Sequence, residues 1–239
     1  MTSHEIRAGI ELPAIRTPFL LDTQDGQQLV AELAMPIDGK PVATLICLHP
    51  LPTHGGFMDS HVIRKAANRL PYLANVAVLR FNTRGTESPQ GKSTGEFTGG
   101  DLERFDVAAA VDWAVAQALP NRWLLGWSFG TEIALKYGAD KDIEGAILLS
   151  PPLHRTSQPE LERWNHTSKP LVGLIPEFDD YLVPAEAAKA FSILSNFEQI
   201  DVAGAKHLWV GEDSVARVLN EIVRTVAPGA YPLPKSADF

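Results

Sequence analysis

The sequence predicts an α/β fold: a mostly parallel central sheet, opened by an antiparallel hairpin and covered by helices on both faces, in one domain over residues 1–239. Three observations carry this expectation. Short, largely apolar runs at 42–48, 76–81, 143–149 and 171–175 recur along the chain, as strands buried on both faces of a parallel sheet do. Between them lie segments with apolar residues at helical spacing, and alternation of the two selects a parallel sheet. Near the start, runs at 15–22 and 28–35 flank Gln24-Asp25-Gly26, a hairpin turn.

The elements follow in order. The strand at 42–48 ends in His49-Pro50-Leu51-Pro52-Thr53-His54-Gly55-Gly56. Asp59 or Ser60 is placed to cap a helix that carries Val62, Ile63, Ala66, Ala67 and Leu70 on one face. The strand at 76–81 opens into a polar, glycine-rich stretch, 82–100, which has no period and reads as a functional or mobile loop. Asp101 begins a helix that Pro120 stops. The apolar run from Trp123 to Gly126 then leads through Ser128 into a helix-forming segment, and 143–149 is a further strand. Only about twenty residues, with one short helix near 160–164, separate it from the strand at 171–175. A helix over 185–194, a strand at 197–202 and a helix at 214–226 complete the domain, and the proline-containing tail 227–239 reads as loosely held. Right-handed crossovers put every strand-to-helix loop on the carboxyl edge of the sheet. The loops at His49, Asn82, Ser128, Ser150, Asp179 and His207 therefore share one edge.

Composition narrows the partner. Of 239 residues, 45% are hydrophobic and 21% charged, with a net charge of −8. That charge opposes a nucleic-acid backbone or an anionic membrane and favours a small neutral ligand. The single cysteine, Cys47, lies within an apolar strand and reads as a small buried hydrophobe. No apolar run reaches the length of a membrane span and the amino terminus lacks the apolar core of a secretion signal, so a cytoplasmic location is expected. Nothing in the sequence sets the oligomeric state, a homodimer included.

The stretch with the most chemistry is Gly126-Trp127-Ser128-Phe129-Gly130. A serine between two glycines, after a strand and before a helix, sits in a sharp turn with its hydroxyl above the sheet. A serine hydroxyl needs an adjacent base, and the base needs a carboxylate to fix its tautomer. An acidic loop holding Glu177, Asp179 and Asp180 and a later histidine, His207, follow in the chain. The N–H after the nucleophile, that of Phe129, is one oxyanion donor. In the loop after Leu48, Pro50 and Pro52 have no N–H, which leaves Leu51 as the second. Trp127 and Trp209 are candidate walls of the site, with core packing as the equal alternative. His49, His54 and His61 lack an acid at ligand spacing, so no metal is expected, and no cofactor either. Arg84 is read as an ion pair to Glu96 or Asp101 ahead of an anion site.

With this order of serine, acid and histidine the chain resembles the α/β-hydrolase superfamily from about Ile15 to Val226. The segments His49-Pro50-Leu51-Pro52, Gly55-Gly56-Phe57-Met58-Asp59 and Arg80-Phe81-Asn82-Thr83-Arg84-Gly85 are similar to those of a bacterial group of small, nearly lidless members. The resemblance implies a triad of Ser128, His207 and an aspartate four residues before proline. That spacing selects Asp180, with Asp179 as the alternative. It implies a serine hydrolase acting on small or solvent-accessible carboxylic esters in an open cleft walled by Phe129, Leu51 and Trp164. The alternatives are the same groups acting on amide, thioester or C–C bonds, and a hydrolase fold kept as a binding module.

Overall fold

The structure is a computed structural model that describes residues 3–7, 9–37 and 40–238; Met1 and Thr2 of the amino terminus and Phe239 of the tail lie outside them. In chain order the elements are β1 (Ser3–Glu5), β2 (Ile15–Asp22), β3 (Gln28–Met35), β4 (Ala43–Leu48), α1 (His61–Ala74) and β5 (Val76–Phe81). Two-residue strands β6 (Glu87–Ser88) and β7 (Gly91–Lys92) precede α2 (Glu103–Ala116), β8 (Arg122–Trp127), α3 (Phe129–Tyr137) and β9 (Gly145–Leu149). Then come α4 (Gln158–Glu162), β10 (Leu171–Phe178), α5 (Pro184–Ala190), β11 (Phe197–Lys206), α6 (Glu212–Val226) and β12 (Ser236–Asp238).

Eight strands form one sheet in the order β11-β10-β9-β8-β4-β5-β3-β2. The five pairings from β11 to β5 are parallel, while β3 runs antiparallel to both β5 and β2. Every residue of β4, β5 and β9 is buried, because helices cover both faces. The two-residue alternation of a strand divides its side chains between those layers. Leu45 and Cys47 of β4 join Val62, Ile63 and Leu70 of α1 and Val218 and Ile222 of α6. Ile46 and Leu48 point the other way, to Val107 and Val111 of α2 and Ile133 of α3. Cys47 is buried as expected, and that burial pushes its thiol up to about 12.

Three local expectations are corrected. Neither Asp59 nor Ser60 caps α1 with its side chain: Ser60 Oγ accepts the Phe57 N–H at 3.1 Å, and Asp59 pairs with Arg80. The tail is also held. Its strand β12 pairs with β1, the Ile6 N–H donates to Lys235 O at 2.9 Å, and the Leu233 N–H donates to Asn220 Oδ1 at 2.9 Å. The loop 82–100 owes its order to polar anchors instead of a period. Ser93 Oγ donates to Asn82 O at 2.8 Å and accepts the Val30 N–H at 3.0 Å, while Glu103 accepts N–H groups of Thr98 and Gly100. Arg84 is ion-paired, with Asp25 and Asp106 as its partners and not Glu96 or Asp101.

Between β9 and β10 lie only α4 and the short turn Arg163–His166, so among the described residues no multi-helix lid covers the carboxyl edge. Among the described residues no helix is long and apolar enough to cross a membrane.

Candidate active site

The site is built on the ends of β4, β8, β9, β10 and β11. Ser128 joins β8 to α3 with φ 53° and ψ −118°, a positive φ that a non-glycine residue adopts only under constraint. The constraint is packing of the turn against strand and helix. A Cβ on Gly126 would stand 2.6 Å from Gly130 O, and one on Gly130 would stand 2.0 Å from Leu48 O. Only glycine lets the helix approach the sheet this closely, and the turn it permits lifts the Ser128 hydroxyl above the edge.

His207 follows β11, which extends four residues beyond the expected strand. Its Nε2 lies 2.9 Å from Ser128 Oγ, and its Nδ1 lies 3.0 and 3.1 Å from the two carboxylate oxygens of Asp179. An ionised carboxylate only accepts, so Nδ1–H donates to Asp179 and Nε2 is left to accept the serine proton. Burial works to raise the Asp179 carboxyl, but His207 and the N–H groups of Tyr181 and Leu182 outweigh it and hold the group below the ordinary carboxylate range.

Asp180, chosen from the spacing to Pro184, is corrected to Asp179. β10 runs on to Phe178, so Asp179 is the first residue past the strand and is buried, while Asp180 is exposed. The turn in which Asp179 Oδ1 accepts the Tyr181 N–H at 2.8 Å fixes the first carboxylate inward, as aspartates at turn starts do.

Trp127 and Trp209 do not wall the cleft. Both are buried in the layer under α1 and α6. Trp127 shares the parity of Leu125 on β8 and so faces the core. It acts on the site from behind: its indole N–H donates to His207 O at 3.2 Å, and Ser150 Oγ donates to the same carbonyl at 3.1 Å. His61, whose imidazole burial holds below its ordinary value, reaches Trp209 O at 3.2 Å. The backbone of His207 and of Trp209 beyond it is thus anchored by Trp127, Ser150 and His61. Trp164 is likewise internal, its indole N–H donating to Leu135 O at 2.9 Å.

The second half of the site comes from the loop after β4. His49 is fully buried, its Nε2 accepts the Thr83 N–H at 3.0 Å, and its Nδ1 lies 2.7 Å from Pro50 O. Because Thr83 N can only donate, Nε2 is unprotonated and Nδ1–H holds the Pro50 carbonyl. In a planar trans peptide the N–H of the next residue points opposite that carbonyl. The Leu51 N–H is therefore turned away from His49, and Leu51 lines the cleft. Phe129 N–H is the first of α3, where helix amides are free and the dipole favours negative charge. Among the described residues neither N–H is taken by a hydrogen bond.

The cleft over Ser128 and His207 has a volume of about 290 Å³, with Leu51, Phe129, Pro152 and Leu208 as apolar walls and His54, Glu132, His154 and Arg155 as polar ones. Tyr181 packs edge-on against His207 with ring centroids 4.6 Å apart. The sequence reading gave no role to Tyr181, Glu132 and Arg155, nor to Ser150, which it placed only on this edge. Ser150 alone had a signal, its place at a strand end on this edge. Among the described residues no group of three His, Cys, Asp or Glu side chains is placed to hold a metal.

A lidless, mostly parallel sheet with a serine elbow after its fifth strand in sheet order from β2, an acid after β10 and a histidine after β11 is the α/β-hydrolase fold. Among solved structures, the chain is similar to an α/β serine hydrolase without a lid from Xanthomonas campestris, at 24% identity, 94% of this chain, 99% of that one and TM-score 0.75. It is similar also to an α/β serine hydrolase homologue from Coxiella burnetii (28% identity, 88% and 97% covered, TM-score 0.72) and to an esterase from Pyrococcus furiosus (20%, 90% and 94%, TM-score 0.69). No family model and no curated protein matches the chain.

Proposed function

We propose that this protein is a serine hydrolase that cleaves small or solvent-accessible carboxylic esters through an acyl-enzyme. The observation that carries the reading is the unbroken relay from Ser128 Oγ through the His207 imidazole to Asp179. Ser128 Oγ attacks the ester carbonyl while His207 Nε2 takes its proton, and Asp179 steadies the imidazolium. The oxyanion is held by the Leu51 and Phe129 N–H groups. Collapse expels the alkoxide, which leaves as the alcohol with the proton from Nε2. Water, deprotonated by the same nitrogen, then attacks the acyl-serine, and the acid is released as Ser128 regains its proton. The esterase and serine-hydrolase names of the similar structures support the same class.

The open edge favours small acyl groups, since among the described residues the insertion between β9 and β10 holds only α4 and one short turn, too little to bury a long chain. Turnover of p-nitrophenyl acetate and butyrate by the wild type and by Ser128→Ala tests the reading. Loss of the nucleophile costs on the order of 10⁶ in turnover, so the variant is expected at background with an unchanged circular-dichroism spectrum. A folded Ser128→Ala variant that keeps its rate refutes the mechanism.

A further inference from the structure

One charged pair in the cleft has no part in acyl transfer. Glu132 stands four residues beyond Ser128 on α3, about 6 Å along the helix axis, and its side chain is fully buried. It accepts the Arg155 backbone N–H and a bond from Arg155 Nη1 at 3.1 Å. A buried carboxylate needs such a partner, and this accounts for one end of the Arg155 guanidinium. The rest of it faces outward: the side chain is 34% exposed and lines the cleft beside Phe129, its Cζ 5.8 Å from that ring's centroid. Among the described residues the edge formed by Nε and Nη2 takes no partner.

Arg84 shows what the complete arrangement looks like in the same chain. Its Nε, Nη1 and Nη2 are all engaged, between the carboxylates of Asp25 and Asp106. Arg155 is the same guanidinium with a carboxylate on one side and the substrate cleft on the other. An Nε–Nη2 edge matches the two oxygens of a carboxylate, and among the described residues Arg155 is the one permanently cationic side chain that lines this cleft.

We infer that the preferred substrate is an ester that carries a second, ionised carboxylate, docked on the free edge of Arg155. The inference rests on the serine-hydrolase reading and narrows its substrate class. It replaces the neutral ligand that the net charge of −8 suggests. A chain of that charge repels anions in general, so a preference for one has to come from a local contact.

The test compares kcat/KM for matched pairs: p-nitrophenyl hemisuccinate and hemiglutarate against p-nitrophenyl butyrate and valerate, and acetate esters of short hydroxy acids against those of the matching alcohols. The first pair places the charge on the acyl side and the second on the alcohol side. At least one is expected to show about a ten- to hundredfold preference for the charged ester, the worth of a charged hydrogen-bonded contact. Arg155→Gln should abolish that ratio and Arg155→Lys should keep part of it. Because Arg155→Gln orphans a buried carboxylate, the double variant Glu132→Gln/Arg155→Gln provides the second measurement: it leaves net charge unchanged and should also lose the ratio. A wild-type ratio at or below one in both pairs, or a ratio that survives in the double variant, overturns the inference while turnover of the neutral esters leaves the hydrolase reading standing. Failure to hydrolyse any of these esters overturns both.

Discussion

Two neighbouring aspartates differ in what their carboxylates touch, and this sets the prediction at the scale of single residues. Asp179 is buried against His207 Nδ1, while Asp180 is exposed. Replacing a carboxylate behind a catalytic imidazole by an amide costs about 10⁴ in kcat because the wrong tautomer is stabilised. Asp179→Asn is therefore expected to fall by that order. Asp180→Asn should change the rate by less than about threefold, consistent with the ~0.5 kcal/mol of an ordinary surface substitution. Steady-state kinetics on one small ester separates them, and equal losses would remove Asp179 from the relay. The spacing to Pro184 selected Asp180 wrongly for a physical reason: both residues satisfy the loop position, and the inward one, Asp179, is set by where β10 ends and by the N–H groups of Tyr181 and Leu182. Trp127 is the reverse case. The sequence left cleft wall and core packing as equal alternatives for it, and the structure decides for the core, with its indole N–H on His207 O.

At the scale of elements, the loop after β4 behaves as a pH-sensitive part of the site. Burial lowers His49 to about 4, from about 6.5 unperturbed. Protonation would place a second N–H on Nε2 against the Thr83 N–H, so the folded state holds His49 neutral. Between pH 6.5 and 4 the unfolded chain then binds more protons at this site than the folded one. Its contribution to stability is complete above pH 6.5 and is lost as pH falls through that window. The slope approaches about 1.4 kcal/mol per pH unit, on the order of 3 kcal/mol in all. Urea unfolding from pH 7 to 4 should show this decline, and His49→Asn, whatever its stability at pH 7, should show a flatter one. Identical slopes in the two proteins would contradict the assignment. The proline pattern singled out Leu51 as the proposed donor, because Pro50 and Pro52 cannot donate. That His49 orients the intervening peptide was not legible, since its partner Thr83 lies 34 residues away.

At the scale of the whole molecule, strand order and handedness bring together residues that are 79 and 28 positions apart in the chain. The strands and helices were legible because apolar runs and helical spacing report burial directly, and the hairpin because its Asp-Gly turn is local. The tail was not. Its pairing with β1 joins the two ends of the chain, and the proline spacing of residues 227–239 gives no sign of that partner. The absence of a lid was visible as a short interval between β9 and β10, and it leaves Ser128 open to small reagents.

That exposure allows the central claim, that this one serine is activated by a relay assembled from separate strand ends, to be measured directly. The intact protein is treated with a fluorophosphonate, its mass recorded and the modified peptide sequenced. The expected result is one adduct per chain on Ser128, formed rapidly by the wild type and lost in His207→Gln. No adduct, or one on a different serine, would contradict it.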